Sequence, residues 1–236
     1  MIDNNDIGVT SEFMAFLISD IISQYKNFDN AHKENHVKDV IKFSLEIISN
    51  EDLTYDREEV NISKVAFIAS CFHDIGLSVE RDNHEQHSIK IFNEYYKTNH
   101  LFKMNIKPFE KDEILKGIEE HRSSYKGTKS MIGRIISDAD GYTSFKTNYS
   151  PIKRIVLFNL GKSKEDIKLL TKEHFNNKYS DNGYNKFYYD YTKMIFNPKL
   201  EFNRDLFKND SKFDVVFNTI YKEIINERVL VNGISK

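Results

Sequence analysis

The chain has 236 residues, 39% of them hydrophobic and 30% charged, with a net charge of −2. That is enough apolar material for a sizeable core and excludes a disordered chain. The near-neutral balance excludes bulk electrostatic binding of nucleic acid, which needs several Lys/Arg–phosphate contacts. The single cysteine, Cys71, excludes an internal disulfide framework and fits a reducing compartment.

No run approaches the roughly twenty apolar residues of a membrane span. The start Met1-Ile2-Asp3-Asn4-Asn5-Asp6 lacks the basic opening of a secretion signal. A cytoplasmic protein without membrane partners is expected. The oligomeric state is open, a homo-oligomer included.

With 3 prolines and 9 glycines, the chain favours long helices and short loops. Thr10 or Ser11 reads as the cap of a first helix, with Met14, Leu17, Ile18, Ile21 and Ile22 at helical spacing. The next opens near His36, with Val37, Val40, Ile41, Leu45 and Ile48 forming one stripe. A polar stretch over 50–59 leads to Asn61 or Ser63, capping an apolar helix that ends in the adjacent pair His73-Asp74. Gly76 reads as its stop. Helices follow over about 84–96, 111–121, ending in His121, and 130–145, carrying Asp138 and Asp140.

Beyond Pro151, helical spacing continues over 152–160, 164–177, 184–196 and 213–226. The aromatic run Tyr184, Phe187, Tyr188, Tyr189 and Tyr191 could stack bases, but its helical periodicity favours core packing. No repeat, low-complexity block or linker interrupts the chain. A single all-α domain over 1–236 is expected, with a core at about 30–150 and a helical C-terminal extension at about 151–236 docked on it. Cys71 reads as a small buried hydrophobe, since nothing nearby activates its thiol.

The chemistry starts from His73-Asp74. Burying an imidazole and a carboxylate without partners costs several kcal/mol, roughly. A divalent cation compensates both, because each is a good ligand for borderline or hard metals. Histidine and carboxylate recur at helix ends in Asn35-His36-Val37, Asn83-His84-Glu85-Gln86-His87-Ser88, Glu119-Glu120-His121 and Ser137-Asp138-Ala139-Asp140.

In this order and context the chain resembles the HD-domain metal-dependent phosphohydrolase superfamily. The pattern is carried by His36, His73 with Asp74, and Asp140 of Ala139-Asp140, over roughly residues 30–150. The Ile-Gly after the pair, the His87-Ser88 step and the Ile-x-x-His at His121 add to it. Together they look like an uncharacterised bacterial branch. The resemblance implies an all-helical HD-type bundle in which His36, His73, Asp74 and Asp140 bind a metal.

Two specialised substrates are not carried over. Arg122-Ser123-Ser124-Tyr125-Lys126-Gly127 departs from the second His and Gly-Tyr-Pro of the cyclic-dinucleotide branch. Ala139-Asp140-Gly141-Tyr142-Thr143-Ser144 departs from the alarmone branch's Ala-Asp-Arg-Leu-His-Asn.

Several choices stay open within this pattern. His32 makes a His-x-x-x-His spacing with His36, but Lys33 stands where the helical zinc-protease motif has Glu. The Ala-Asp context selects Asp140 over Asp138, which lies about 200° away around a helix. His87 and His121 either ligate a second metal, bridged through Asp74, or contact substrate, and His84 is the substitute for His87.

A mixed His/carboxylate set suits octahedral Mn²⁺, Fe²⁺, Mg²⁺, Co²⁺ or Ni²⁺ better than closed tetrahedral Zn²⁺. One or two ions per chain are expected. The expected reaction is hydrolysis of a nucleotide or other small phosphoester by metal-activated water. Asp74, His121 and Arg122 would be catalytic, and Arg122, Lys126 and Lys129 substrate-binding. A di-iron oxygenase on the same fold and a non-catalytic ligand-binding regulatory module are the alternatives.

Overall fold

In the computed structural model, which describes residues 7–29, 32–54, 60–180, 183–184 and 186–233, helices begin where short polar side chains cap them. Thr10 accepts from Phe13 N at the start of α1, Ser11–Phe16. Asn61 accepts from Lys64 N at the start of α3, Ile62–Phe72. Among the described residues all regular structure is helical, and the all-α class holds. No described helix is long and apolar enough to cross a membrane. Residues 1–6 and 55–59, parts of the polar N-terminus and of the stretch before Asn61, lie outside the described residues.

The helices are α1, a π turn over Leu17–Ile21, a 3₁₀ turn over Ile22–Asn27, α2 (Glu34–Asn50), α3, and a 3₁₀ turn over Ile75–Ser78. Then come α4 (His84–Thr98), α5 (His100–Asn105), α6 (Pro108–Glu120) and α7 (Met131–Thr143). The expected first helix therefore changes type at Leu17. The wider π turn shifts the register, leaving Ile18 51% exposed while Leu17, Ile21, Ile22 and Tyr25 are buried. The short helix α5 has no counterpart in the sequence reading.

The chain divides into two compact units, one of Met1–Thr143 with Phe187–Lys193, the other of Ser144–Lys186 with Met194–Lys236. In the first, α2, α3, α6 and α7 pack in the cycle α2–α3–α6–α7, and α3 also meets α7 across it. α3 is buried along nearly its whole length, as its continuous apolar run demands. Gly117 permits a close approach in this cycle. A Cβ there would lie 2.6 Å from Ile132 Cγ2 and 2.9 Å from Ala69 Cβ, so α6 meets α7 and α3 across a bare backbone. Phe13, Phe72 and Phe92 all set their rings edge-on to Phe102 at one end of the bundle.

Residues 187–193 belong to this first unit rather than continuing a helix from Tyr184. α10 (Asp190–Lys208) starts only at Asp190, because the backbone N–H groups just before it have another acceptor. Tyr188 N and Tyr189 N donate to the buried Asp138 carboxylate at 3.0–3.1 Å. Phe187 lies against Gly141, and Tyr191 and Tyr142 both stack on Phe43. The aromatic run is thus a strap along α7, with Tyr184 left 43% exposed.

The second unit holds α8 (Ser150–Phe158), α9 (Lys164–Tyr179), α10 from Met194 onward and α11 (Asp210–Gly233). Its own core is formed by Ile152, Val156, Ile167, Leu206, Phe213, Phe217, Ile220 and Ile224.

Candidate metal centre

Three histidines in the first unit are aimed by backbone carbonyls. His73 is the C-terminal cap of α3, and its Nδ1 lies 2.7 Å from Ser70 O. His121 caps α6 in the same way, with Nδ1 2.7 Å from Ile118 O. His84 opens α4 and sets Nδ1 2.9 Å from Arg81 O. A carbonyl only accepts, so each Nδ1 carries a hydrogen and each Nε2 is the nitrogen that faces inward. The last carbonyls of α3 and α6 lack intrahelical partners, which is why a histidine just past the helix end finds one three residues back.

The Nε2 atoms converge on the Asp74 carboxylate. On one side, His36 Nε2 and His73 Nε2 are 3.1 Å apart. Each lies 3.3 Å from Asp74 Oδ2. On the other, His84 Nε2 and His121 Nε2 are 3.2 Å apart. They lie 3.0 and 3.5 Å from Asp74 Oδ1. The two trios, His36–His73–Asp74 and Asp74–His84–His121, are buried, and within each the ligand atoms lie within 4.8 Å of one another. Asp140 stands beside the first trio, its Oδ1 3.5 Å from His36 Nε2 and its side chain 32% exposed.

This arrangement fits divalent cations. Ligands about 2.1 Å from a metal and at right angles are about 3.0 Å apart. The observed separations are of that size. In the second trio both rings turn Nδ1 to carbonyls, so when the rings are neutral two lone pairs and a carboxylate oxygen face one another. A cation satisfies all three, and the two trios can hold one or two ions.

The charges respond to this crowding. Burial opposes a charge on Asp74, yet His73 and hydrogen bonds from His121, His36 and His73 hold its carboxyl well below the usual range. Burial likewise opposes charge on His73, but Asp74 outweighs it and raises the imidazole to about 9. His84 is also raised by Asp74 against burial. For His121 burial wins over Asp74, and its pKa is lowered. Asp140 is lowered by His36, against burial and the neighbouring Asp74.

Of the residues singled out in the sequence, His36, His73, Asp74, Asp140 and His121 come together here. His87 does not. Its Nε2 lies 3.3 Å from Glu80 Oε2 with the side chain 23% exposed, and His84 occupies the place expected for it. His32 sets its Nδ1 2.8 Å from Asp29 Oδ1 and its ring edge-on to His36. Asp138 turns away from the cluster to the strap, and burial pushes its pKa to about 7.

Of the basic residues after His121, Lys129 stands apart. Arg122 pairs with Glu85, NH1 to Oε1 3.4 Å, and its side chain is 41% exposed. Lys126 is exposed. Lys129, expected at substrate, is 4% exposed and bonds backbone carbonyls of Glu120 and Arg122 instead.

Two further residues brace the site. Ser88 Oγ accepts from Gly76 N at 2.9 Å and donates to His73 O at 3.0 Å, binding α4 to the turn after the His-Asp pair. Tyr25 OH donates to Cys71 O at 3.0 Å, just behind the pair. Cys71 itself is buried, which pushes its thiol pKa up and leaves it inert.

The helical fold and this buried His/Asp cluster are compatible with an HD-like site; in comparisons with known proteins, no family model, no curated protein and no solved structure matches the chain.

Proposed function

We propose that this chain is a metal-dependent phosphohydrolase of the HD type, acting on a nucleotide or other small phosphoester. The observation that carries the reading is the Asp74 carboxylate, which turns one oxygen to each of two histidine pairs. Such a bridge suits a two-ion site, whose use in phosphoester chemistry is to clamp the attacking and leaving oxygens together. Bound divalent ions supply Lewis acidity and acidify water. His36, His73 and Asp74, with Asp140 at the edge, would hold one ion, and His84, His121 and Asp74 the other.

The chain's own part is to fix these ligands and exclude bulk water. Carbonyl-bonded Nδ1 atoms fix the rings of His73, His84 and His121, so Nε2 is in each the nitrogen left to ligate. Asp140, the most exposed of the acidic and histidine ligands, marks the side from which substrate enters. Arg122 is half-exposed and tethered to Glu85, within reach of a phosphoryl oxygen if it exchanges that partner.

The test is a screen of the protein, reconstituted separately with Mn²⁺, Fe²⁺, Co²⁺, Ni²⁺, Mg²⁺ and Zn²⁺, against nucleotides and generic phosphoesters, with metal content measured on the same samples. Phosphate release that tracks metal content and disappears in Asp74→Ala is the expected result. Metal-loaded protein that consumes dioxygen and releases no phosphate would replace the reading with an oxygenase.

A further inference from the structure

We infer that Lys129 is a positioning residue that aims His121, acting as a cationic cap on the end of α6. The inference rests on the reading of His121 as a metal ligand. The last carbonyls of a helix have no partner within it, and its C-terminus carries partial negative charge. His121 sits at that end of α6. Its own ring satisfies Ile118 O. The carbonyls on either side of it, Glu120 O and Arg122 O, both accept from Lys129 Nζ, the latter at 2.6 Å.

An ammonium has three hydrogens. The third direction is taken by the Tyr125 ring, whose centroid lies 5.6 Å from Nζ, within cation–π range. Lys129 is 4% exposed, so no water replaces any of these partners cheaply. The neighbouring residue completes the clamp. Ser130 N and Oγ donate to Glu120 Oε2 at 2.6 and 2.7 Å. The loop between His121 and Ser130 is therefore tied back to the residue before His121, and one buried cation holds the backbone on both sides of the ligand.

Removing that cation frees Glu120 O and Arg122 O and lets His121 turn. Loss of an outer partner of a ligand typically costs about 10–100-fold in metal affinity. The experiment compares the parent with Lys129→Met, Lys129→Arg and a control, Lys64→Met. Lys64 is also buried and bonds a carbonyl and Glu110, but at the other end of α6.

Imidazole ¹⁵N spectra of the metal-stripped proteins are expected to show His121 as one tautomer, protonated at Nδ1, in the parent and in Lys64→Met. In Lys129→Met the His121 signals average, while those of His73 do not change. Lys129→Arg, which keeps N–H donors and charge, restores the single tautomer. Cobalt titration is expected to show the second equivalent weakened by about 10–100-fold in Lys129→Met, with the first unchanged. Should Lys129→Met not fold, Lys129→Gln takes its place.

The inference is overturned if the His121 signals of the variant match the parent, or if Lys64→Met changes them equally. A parent that binds only one ion would defeat the two-ion reading, while the tautomer comparison would still decide the role of Lys129.

Discussion

Replacing Asp138 with alanine separates the two aspartates of the Ser137-Asp138-Ala139-Asp140 step by what each holds. Asp138 is fully buried, and its oxygens accept from Tyr188 N and Tyr189 N at 3.0–3.1 Å. Alanine leaves these two N–H groups without their acceptor, at about 1–3 kcal/mol each. Relief from burying a carboxylate offsets part of that. A net loss of about 2–3 kcal/mol in the closing of the strap corresponds to about 30–140-fold faster amide exchange. Exchange at Tyr188 and Tyr189, followed by NMR or mass spectrometry, measures it directly. Metal content should not change, because Asp140 and not Asp138 faces His36. Protein that loses metal while its strap amides stay protected would refute the reasoning and make Asp138 the ligand.

Three further outcomes are expected. His84→Ala should reduce bound metal from two ions to one by elemental analysis, while His87→Ala, which breaks only a partly exposed contact to Glu80, should leave both. Gly117→Ala should cost about 1–3 kcal/mol by urea denaturation, since its Cβ would overlap Ile132 and Ala69; an unchanged midpoint would mean that α6 is not packed this closely. For Asp138, burial raises the folded pKa from the ordinary 3.8 to about 7, so between those values the folded chain holds a proton the unfolded chain has released. Stability from this group is therefore full at acid pH, falls as pH rises through that window and is level above it, and Asp138→Asn should remove that part of the urea-midpoint profile.

The parts of the site legible in the sequence are those set by helix ends. An apolar run closing on His73-Asp74, and a helix closing on His121, predict rings at helix ends, and the structure puts them there. Caps at Thr10 and Asn61 were readable for the same local reason. The choice between His84 and His87 was not, because residues three apart lie on nearly one face of a helix. What separates them is the turn before α4, where Asn83 takes a left-handed conformation (φ 60°) and Arg81 O catches the ring of His84.

The surroundings of the basic residues were hidden for a related reason. Sequence shows the charge of Lys129 and Arg122 but not which carbonyl or carboxylate, up to 37 residues away, will meet them. The strap at Phe187–Lys193 has helical aromatic spacing, and the acceptor that overrides it is Asp138, fifty residues earlier. Long-range polar satisfaction outweighed local periodicity there.

The carbonyls of Ser70, Arg81 and Ile118 orient three of the histidines, and a carbonyl is present whatever the residue. The side chains at those three positions are therefore not what aims the ligands. Sites that aim their histidines with a carboxylate leave a recognisable acidic position, whereas this one leaves none. The detectable mark is a histidine standing where a helix stops, and the substitutions most able to misdirect it are those that move the stop by a residue.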